Sequence, residues 1–427
     1  MRTRFYQFTI LIMLGAVALT ANSFAEAQMT HTVDELQQKI STKTNELEML
    51  KPVIKQLEKD IDNTVAKKKT LGTEIKTLDL THRKLETDIK ITQTKVDTTD
   101  LKIRQIGSQI SYKEDEITAR LAALKESILA VYQSDSASLP QIALSQESFS
   151  GLWSDLDGLD QFNENVNENV DIIKSLKKDL EDKNKKQKVE KKKLLGLKGE
   201  LGDQKKITEE SKKQKAQLLK LTSSQESEYQ KALQQKLAIM EALEKEIHDY
   251  ESTLKFILDP TSIPPRGTKV FSAPLDNMLI TQNFGKTSAS GRLYASGTHN
   301  GTDFRATAGT PVKAMQSGII AGIGDTDLTC PRASFGRWIL IRYNNGLASV
   351  YGHLSLIKVS EGQAVNVGDV VGYSGNTGYS TGPHLHVSVY ASAGVNIENR
   401  PSKSCSGRTF RMPLAAFNAY LDPMDYL

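Results

Sequence analysis

Apolar residues return at every seventh position from Val33: Ile40, Leu47, Ile54, Ile61, Ile75, Ile89, Val96, Ile103, Ile110, Ile117, Leu124 and Val131 keep the phase, and only Lys68 and His82 interrupt it. A second stripe runs three residues on, at Leu36, Leu50, Leu57, Leu71, Leu78, Leu85 and Ile106. This 3–4 alternation predicts a coiled-coil seam, because a 3.5-residue repeat keeps one apolar face toward a partner helix. Pro52 should kink the helix or leave its first turns separate, since its ring removes a hydrogen bond and crowds the preceding turn. His82 fits as a tolerated polar seam position, and His31 and His248 read as surface residues.

The pattern resumes at Leu159, Phe162, Val166, Ile173, Leu176 and Leu180 and runs through Leu194, Leu197 and Leu201 to Leu218, Tyr229, Ala232, Ile239 and Leu243. Lysines between Lys185 and Lys193, with Gly196, Gly199 and Gly202, weaken its middle. Two seams of similar length joined by a short interruption predict an antiparallel hairpin within one chain, so a monomer is preferred over a parallel dimer. The arm spans residues 28–258. Its interruption, residues 134–158, gathers Leu139, Ile142, Leu144, Phe149, Leu152, Trp153 and Leu156. A narrow two-helix seam cannot absorb that set, so it forms either a self-packed cap or a partner-binding element.

Pro260, Pro264 and Pro265 end the helix and stiffen a linker over residues 259–268. Beyond it the period changes to short β-like runs separated by Gly, Asn and Ser turns: residues 319–323, 338–343, 348–351, 370–373 and 385–390. The expected fold is therefore multidomain: a long all-α coiled-coil hairpin followed by a compact, mostly antiparallel β domain over residues 269–427.

Composition supports that division. A chain of 427 residues exceeds one ordinary core, and 25% charged residues with 6% aromatics suit a long solvated helix. The formal charge of +4 is too small to argue for nucleic acid as a partner. Arg2 and Arg4, the apolar run Phe8–Ala21 and the small residues Ala25 and Ala27 have the grammar of a signal peptide over residues 1–27. The run is shorter than the roughly 20 residues a spanning helix needs. Export to the periplasm or extracellular envelope follows. There the two cysteines, Cys330 and Cys405, either form a disulfide or remain two free thiols.

Four of the seven histidines, His299, His353, His384 and His386, lie in the β domain. In His299-Asn300-Gly301-Thr302-Asp303 an extended chain puts residues 299, 301 and 303 on one face, with Gly301 leaving room for an ion. In His384-Leu385-His386-Val387-Ser388-Val389 the alternation sends both imidazoles to one face and Leu385, Val387 and Val389 to the core. Two imidazoles and a carboxylate make a zinc-type ligand set with coordination left open.

Gly297–Phe304, Gly309–Val312, Tyr351–Leu354 and Ser374–His386 together resemble the lysostaphin-type (LytM-like) zinc endopeptidases of peptidoglycan. The arm, with the stretch Ser148–Trp153, is similar to that of the EnvC- and PcsB-like division proteins. The first resemblance implies one zinc ion held by His299, Asp303 and His386, and His353 and His384 beside it as catalytic imidazoles. It implies peptide cross-links of the cell wall as substrate. The second implies a role in cell division or wall growth and an FtsE/FtsX-like membrane transporter as the arm's partner. Many relatives carry Phe and Glu after the last histidine, where this chain has Val387 and Ser388. The segments around Cys330 and from Ala391 to Arg411 look like insertions. The competing reading is a non-catalytic activator of a separate amidase, but such relatives have eroded ligands and here all five positions are intact.

Overall fold

The computed structural model describes residues 2–65, 70–134, 149–220, 226–287, 297–405 and 407–427, and for residues 2–32, 130–134, 149–159, 236 and 240 the backbone alone. The described residues form four long helices, α1 (Arg2–Val65), α2 (Leu71–Ser134), α3 (Phe149–Leu219) and α4 (Glu226–Thr253), followed by a β domain. It divides into two compact units, residues 1–50 with 91–201 and residues 51–90 with 202–427. Among the described residues no helix is long and apolar enough to cross a membrane.

In the first unit α2 and α3 run antiparallel. Ile117 packs on Ile173 and Leu176, Arg120 Nη1 donates to Asn169 Oδ1 at 3.3 Å, and Lys183 Nζ donates to Gln109 Oε1 at 3.1 Å. Helix α1 also runs against α2, through Gln105 and Gln37 at 3.0 Å and Lys43 and Asp97 at 4.0 Å. The long stripe from Val33 to Val131 is thus two antiparallel helices rather than one, and α2 is the middle of three. That explains Thr94 and Thr98, which are buried on α2 away from both apolar stripes. Thr98 satisfies its hydroxyl by donating to the Thr94 carbonyl one turn back, at 2.7 Å.

A local signal marks the fresh start at α2. Thr70 and Thr73 exchange side-chain and backbone hydrogen bonds at 2.8 and 3.1 Å, a reciprocal N-terminal cap. Pro52 lies inside α1 without ending it, and α3 continues through Gly196, Gly199 and Gly202 for 71 residues. Residues 135–148 of the apolar interruption, and the side chains of the rest of it, lie outside the described residues.

In the second unit the main antiparallel sheet has the order β1 (Ile280–Gln282), β2 (Thr302–Arg305), β10 (His384–Ala391), β6 (Leu347–Gly352), β5 (Arg337–Tyr343), β4 (Gly318–Asp325), β8 (Ala364–Val365). A short strand, β13 (Tyr420–Leu421), also pairs with β10. A smaller sheet, β3 (Pro311–Lys313), β9 (Val370–Ser374) and β7 (Leu354–Ile357), packs on one face. Phe304, Val312, Ile341, Tyr351, Leu354, Val371, Leu385, Val387 and Val389 fill the core between them. The alternation read along β10 is the one the sheet uses.

The opposite face of the main sheet is covered too. The hairpin β11 (Val395–Pro401) and β12 (Thr409–Ala415) brings Phe410, Met412 and Leu414 onto Trp338, Leu340, Val350 and Tyr390. Helix α4 adds Leu243 and Ile247 to the same cluster. Cys330 and Cys405 form a disulfide there, with Cα atoms 5.7 Å apart, which decides between the two states the sequence left open. The expected insertion is therefore a second layer, and part of the arm belongs to its core.

Candidate metal centre and cleft

Pairing of β2 with β10 sets Asp303 directly across from His386. His299 enters just before β2, where it forms an isolated bridge with Gly285. One ligand atom from each of His299, Asp303 and His386 lies within 4.8 Å of the other two, and all three residues are buried. His386 Nδ1 is 2.8 Å from Asp303 Oδ1 and 3.2 Å from His299 Nε2.

Outer hydrogen bonds settle which nitrogen each ring offers. His299 Nδ1 lies 3.0 Å from the Asn283 carbonyl, which only a donor satisfies, so its Nε2 lone pair is free to face the cluster. The carbonyl of Thr377 takes His353 Nδ1–H at 2.8 Å, and that of Gly382 takes His384 Nδ1–H at 2.8 Å. His384 Nε2 then sits 3.5 Å from Asp303 Oδ1. Two imidazoles with inward lone pairs and one carboxylate match the donors a divalent metal such as zinc requires. None of these outer groups stood out in the sequence, because carbonyls carry no sequence signature.

His353 follows β6 in a left-handed conformation, φ 59°, and its backbone N–H donates to the Phe335 carbonyl at 2.8 Å. A non-glycine residue held there stores strain, and such strain concentrates at functional sites. Its ring centroid is 4.6 Å from that of His384 and 5.6 Å from that of His386. Burial, reinforced by His384 and His386, pushes the His353 pKa well below the usual range, so its ring is neutral at pH 7. Burial also opposes the Asp303 carboxylate, but the neighbouring imidazoles, His384 foremost with His299 and His386, outweigh it and hold the pKa well down.

Gly301 serves a different purpose from the one its spacing suggested. A Cβ at this position would lie 2.5 Å from the Val387 carbonyl oxygen and 2.6 Å from the His386 ring. The glycine makes room for a ligand imidazole rather than for the ion itself.

The arm also reaches this cleft, which the sequence did not announce. His248 of α4 stacks on Phe417, with centroids 4.9 Å apart, and is not a free surface residue. With Glu244, Ile247 and Glu251 it lines a cavity of about 200 Å³ whose other wall includes Thr298, His299 and Asn300. Glu251 accepts from Tyr420 Oη at 2.7 Å and from the Ala415 amide at 3.2 Å. Glu246 accepts from Ser402 Oγ and the amides of Lys403 and Ser404, at 3.0 to 3.1 Å. At the other rim, Asp62 at the end of α1 pairs with Arg305, and Val65 abuts Gly382, whose carbonyl orients His384.

Over 94 residues the chain is 42% identical to the DD-carboxypeptidase/endopeptidase Mpg of Neisseria meningitidis, covering 22% of this chain and 20% of that protein. It is 42% identical over 88 residues to the peptidoglycan DD-endopeptidase ShyA of Vibrio cholerae, covering 21% and 19%. It is 43% identical over 91 residues to lysostaphin of Staphylococcus staphylolyticus, covering 21% and 18%. The match thus spans about a fifth of each relative's length. Residues 297–398, which hold all five site residues, match the model of Peptidase family M23, and the C-terminal part of this chain is a domain of that family.

Proposed function

We propose that this protein is a zinc-dependent endopeptidase that hydrolyses peptide cross-links of bacterial peptidoglycan and is held closed by its own arm. The carrying observation is the convergence of His299, Asp303 and His386 with two further imidazoles, His353 and His384, each with Nδ1 tied to a carbonyl. Relatives named as peptidoglycan and glycyl-glycine endopeptidases support the substrate class. Zinc bound by the three ligands supplies Lewis acidity, polarising a scissile carbonyl and acidifying water. The chain's own groups do the rest. His353 and His384 keep Nε2 for proton transfer and for a developing oxyanion, and the buried setting strengthens both effects.

The closed arm has its own support. A cavity of about 200 Å³ is smaller than the roughly 300–1,000 Å³ usual for ligand sites, and α4 forms one wall of it. Residues 1–27 serve as the export signal, and the far end of the arm docks on an FtsE/FtsX-like transporter, as the division-protein resemblance implies.

The test uses full-length protein with defined muropeptides and mass spectrometry of the products. Wild type should bind one zinc, and Asp303→Ala or His386→Ala should lose both zinc and cutting. If zinc-loaded protein with α4 displaced cuts no muropeptide yet stimulates a separate amidase, the activator reading replaces this one.

A further inference from the structure

The His386 imidazole is held from both edges. Nδ1 faces Asp303 and His299, and Nε2 lies 2.8 Å from Ser388 Oγ. Ser388 is 0% exposed and sits two residues along the same strand, so the pleat places both side chains on one face. With a metal on Nδ1, Nε2 would carry the proton, and the serine oxygen would accept it.

We infer that Ser388 is a positioning residue of the metal centre, its hydroxyl fixing His386 in the tautomer that offers Nδ1 to the metal. This rests on the reading of His386 as a metal ligand. Three features make the position suited to the task. The hydroxyl is too short to reach a ring that could move away, so the ring must be pinned. Gly301 leaves the ring room to sit there, since a Cβ would intrude to 2.6 Å of Cε1 and Nε2. Phe335 closes the site beside the ring, its centroid 5.6 Å away. A neutral hydroxyl also adds no second anion beside Asp303, so the metal would keep more of its positive charge than with a carboxylate-backed histidine. A neutral acceptor makes the weaker hydrogen bond.

Zinc affinity of full-length protein, measured by competition with a chromophoric chelator, tests the role. Loss of an outer partner of a metal-binding histidine typically weakens the metal about 10- to 100-fold. Ser388→Ala should fall in that range, and Ser388→Thr, which keeps the hydroxyl, should stay within a few-fold of wild type. Nitrogen NMR of histidine-labelled, zinc-loaded protein should show His386 protonated at Nε2 in wild type and in Ser388→Thr. Wild-type affinity in Ser388→Ala, or zinc bound to His386 through Nε2, would overturn the inference while leaving the zinc enzyme intact. Failure of wild type to bind zinc, with no difference from His386→Ala, would overturn both.

Discussion

At the scale of single residues, the proposed function separates groups that would hold the metal from groups that would move protons. His353→Ala should abolish muropeptide cutting while zinc affinity stays within a few-fold, because its Nδ1 is bonded to Thr377 and it is not one of the three ligands. Parallel zinc titration and product analysis check this, and loss of metal would move His353 into the ligand set. Gly301→Ala should fail differently. With a Cβ 2.5 Å from a backbone oxygen and 2.6 Å from His386, strand or ring must shift. Overpacking of this kind costs about 1–3 kcal/mol. Both thermal stability and zinc affinity should therefore drop, and a wild-type Tm would sink the close-packing account. Spacing and the alternation on β10 pointed to His299, Asp303, His384 and His386, whereas His353 entered only through the resemblance. The arm's contribution was not legible, since Glu244, His248 and Glu251 are ordinary helix residues until α4 is docked.

At the scale of elements, α4 and the β11–β12 hairpin depend on each other. The disulfide closes a loop of 75-residue separation and anchors the segment from Ser402 to Ser404 that binds Glu246. On the chain-entropy account the cross-link stabilises by about 4 kcal/mol. Cys330→Ala/Cys405→Ala should lower the urea midpoint and raise hydrogen exchange across α4 together, whereas unchanged exchange there would separate the two elements.

The same helix should respond to pH. Burial pushes the Glu251 carboxyl up to about 7, against the hydrogen bonds from Tyr420 and Ala415, and Glu244 is pushed up to about 7 as well, mainly by burial. A carboxyl with a raised pKa in the docked state gives its full contribution below its free value of 4.5 and loses it as pH rises through 7. Glu246 has the opposite sign. Burial opposes its charge, but the Lys403 and Ser404 amides and the serine hydroxyls outweigh that and lower its pKa, so its contribution is lost as pH falls below 4.5. Docking should be tightest near pH 4.5 and loosen progressively as pH rises to about 7. Exchange protection of residues 243–251, corrected for intrinsic rates, reads this directly. Tightening between pH 4.5 and 7 would contradict it.

At the scale of the molecule, the arm is a separate element in sequence but not in packing. Cutting the chain at the Pro-rich linker would remove Leu243 and Ile247 from the cluster that also holds Phe335, Trp338 and Phe410. Release of the arm is therefore better tested in full-length protein. Glu246→Ala/Leu243→Asp should undock α4 and raise muropeptide cutting at equal zinc loading. For a switch to pass from 1:99 to 99:1, an activating partner must favour the open form by about 5.5 kcal/mol. Equal cutting rates for wild type and the undocked variant would leave the arm as a positioning device.

The sequence alone determined the helical arm, the β domain after the linker, the strands around positions 320, 340, 350, 371 and 387, and the histidine–aspartate constellation. These are properties of local period: 3.5 residues for a seam, two for a pleat, and fixed offsets within a motif. It did not determine that the first stripe folds back at α2, because heptad phase is blind to chain direction and the cue was a short threonine cap. Nor did it determine the disulfide, the second layer from β11 and β12, or the arm against the cleft. Each joins residues tens to hundreds of positions apart, such as Glu251 with Tyr420 or Ser402 with Glu246. Only the tertiary structure brings such pairs together, because their contact depends on the burial of whole faces and not on any period a single segment can carry.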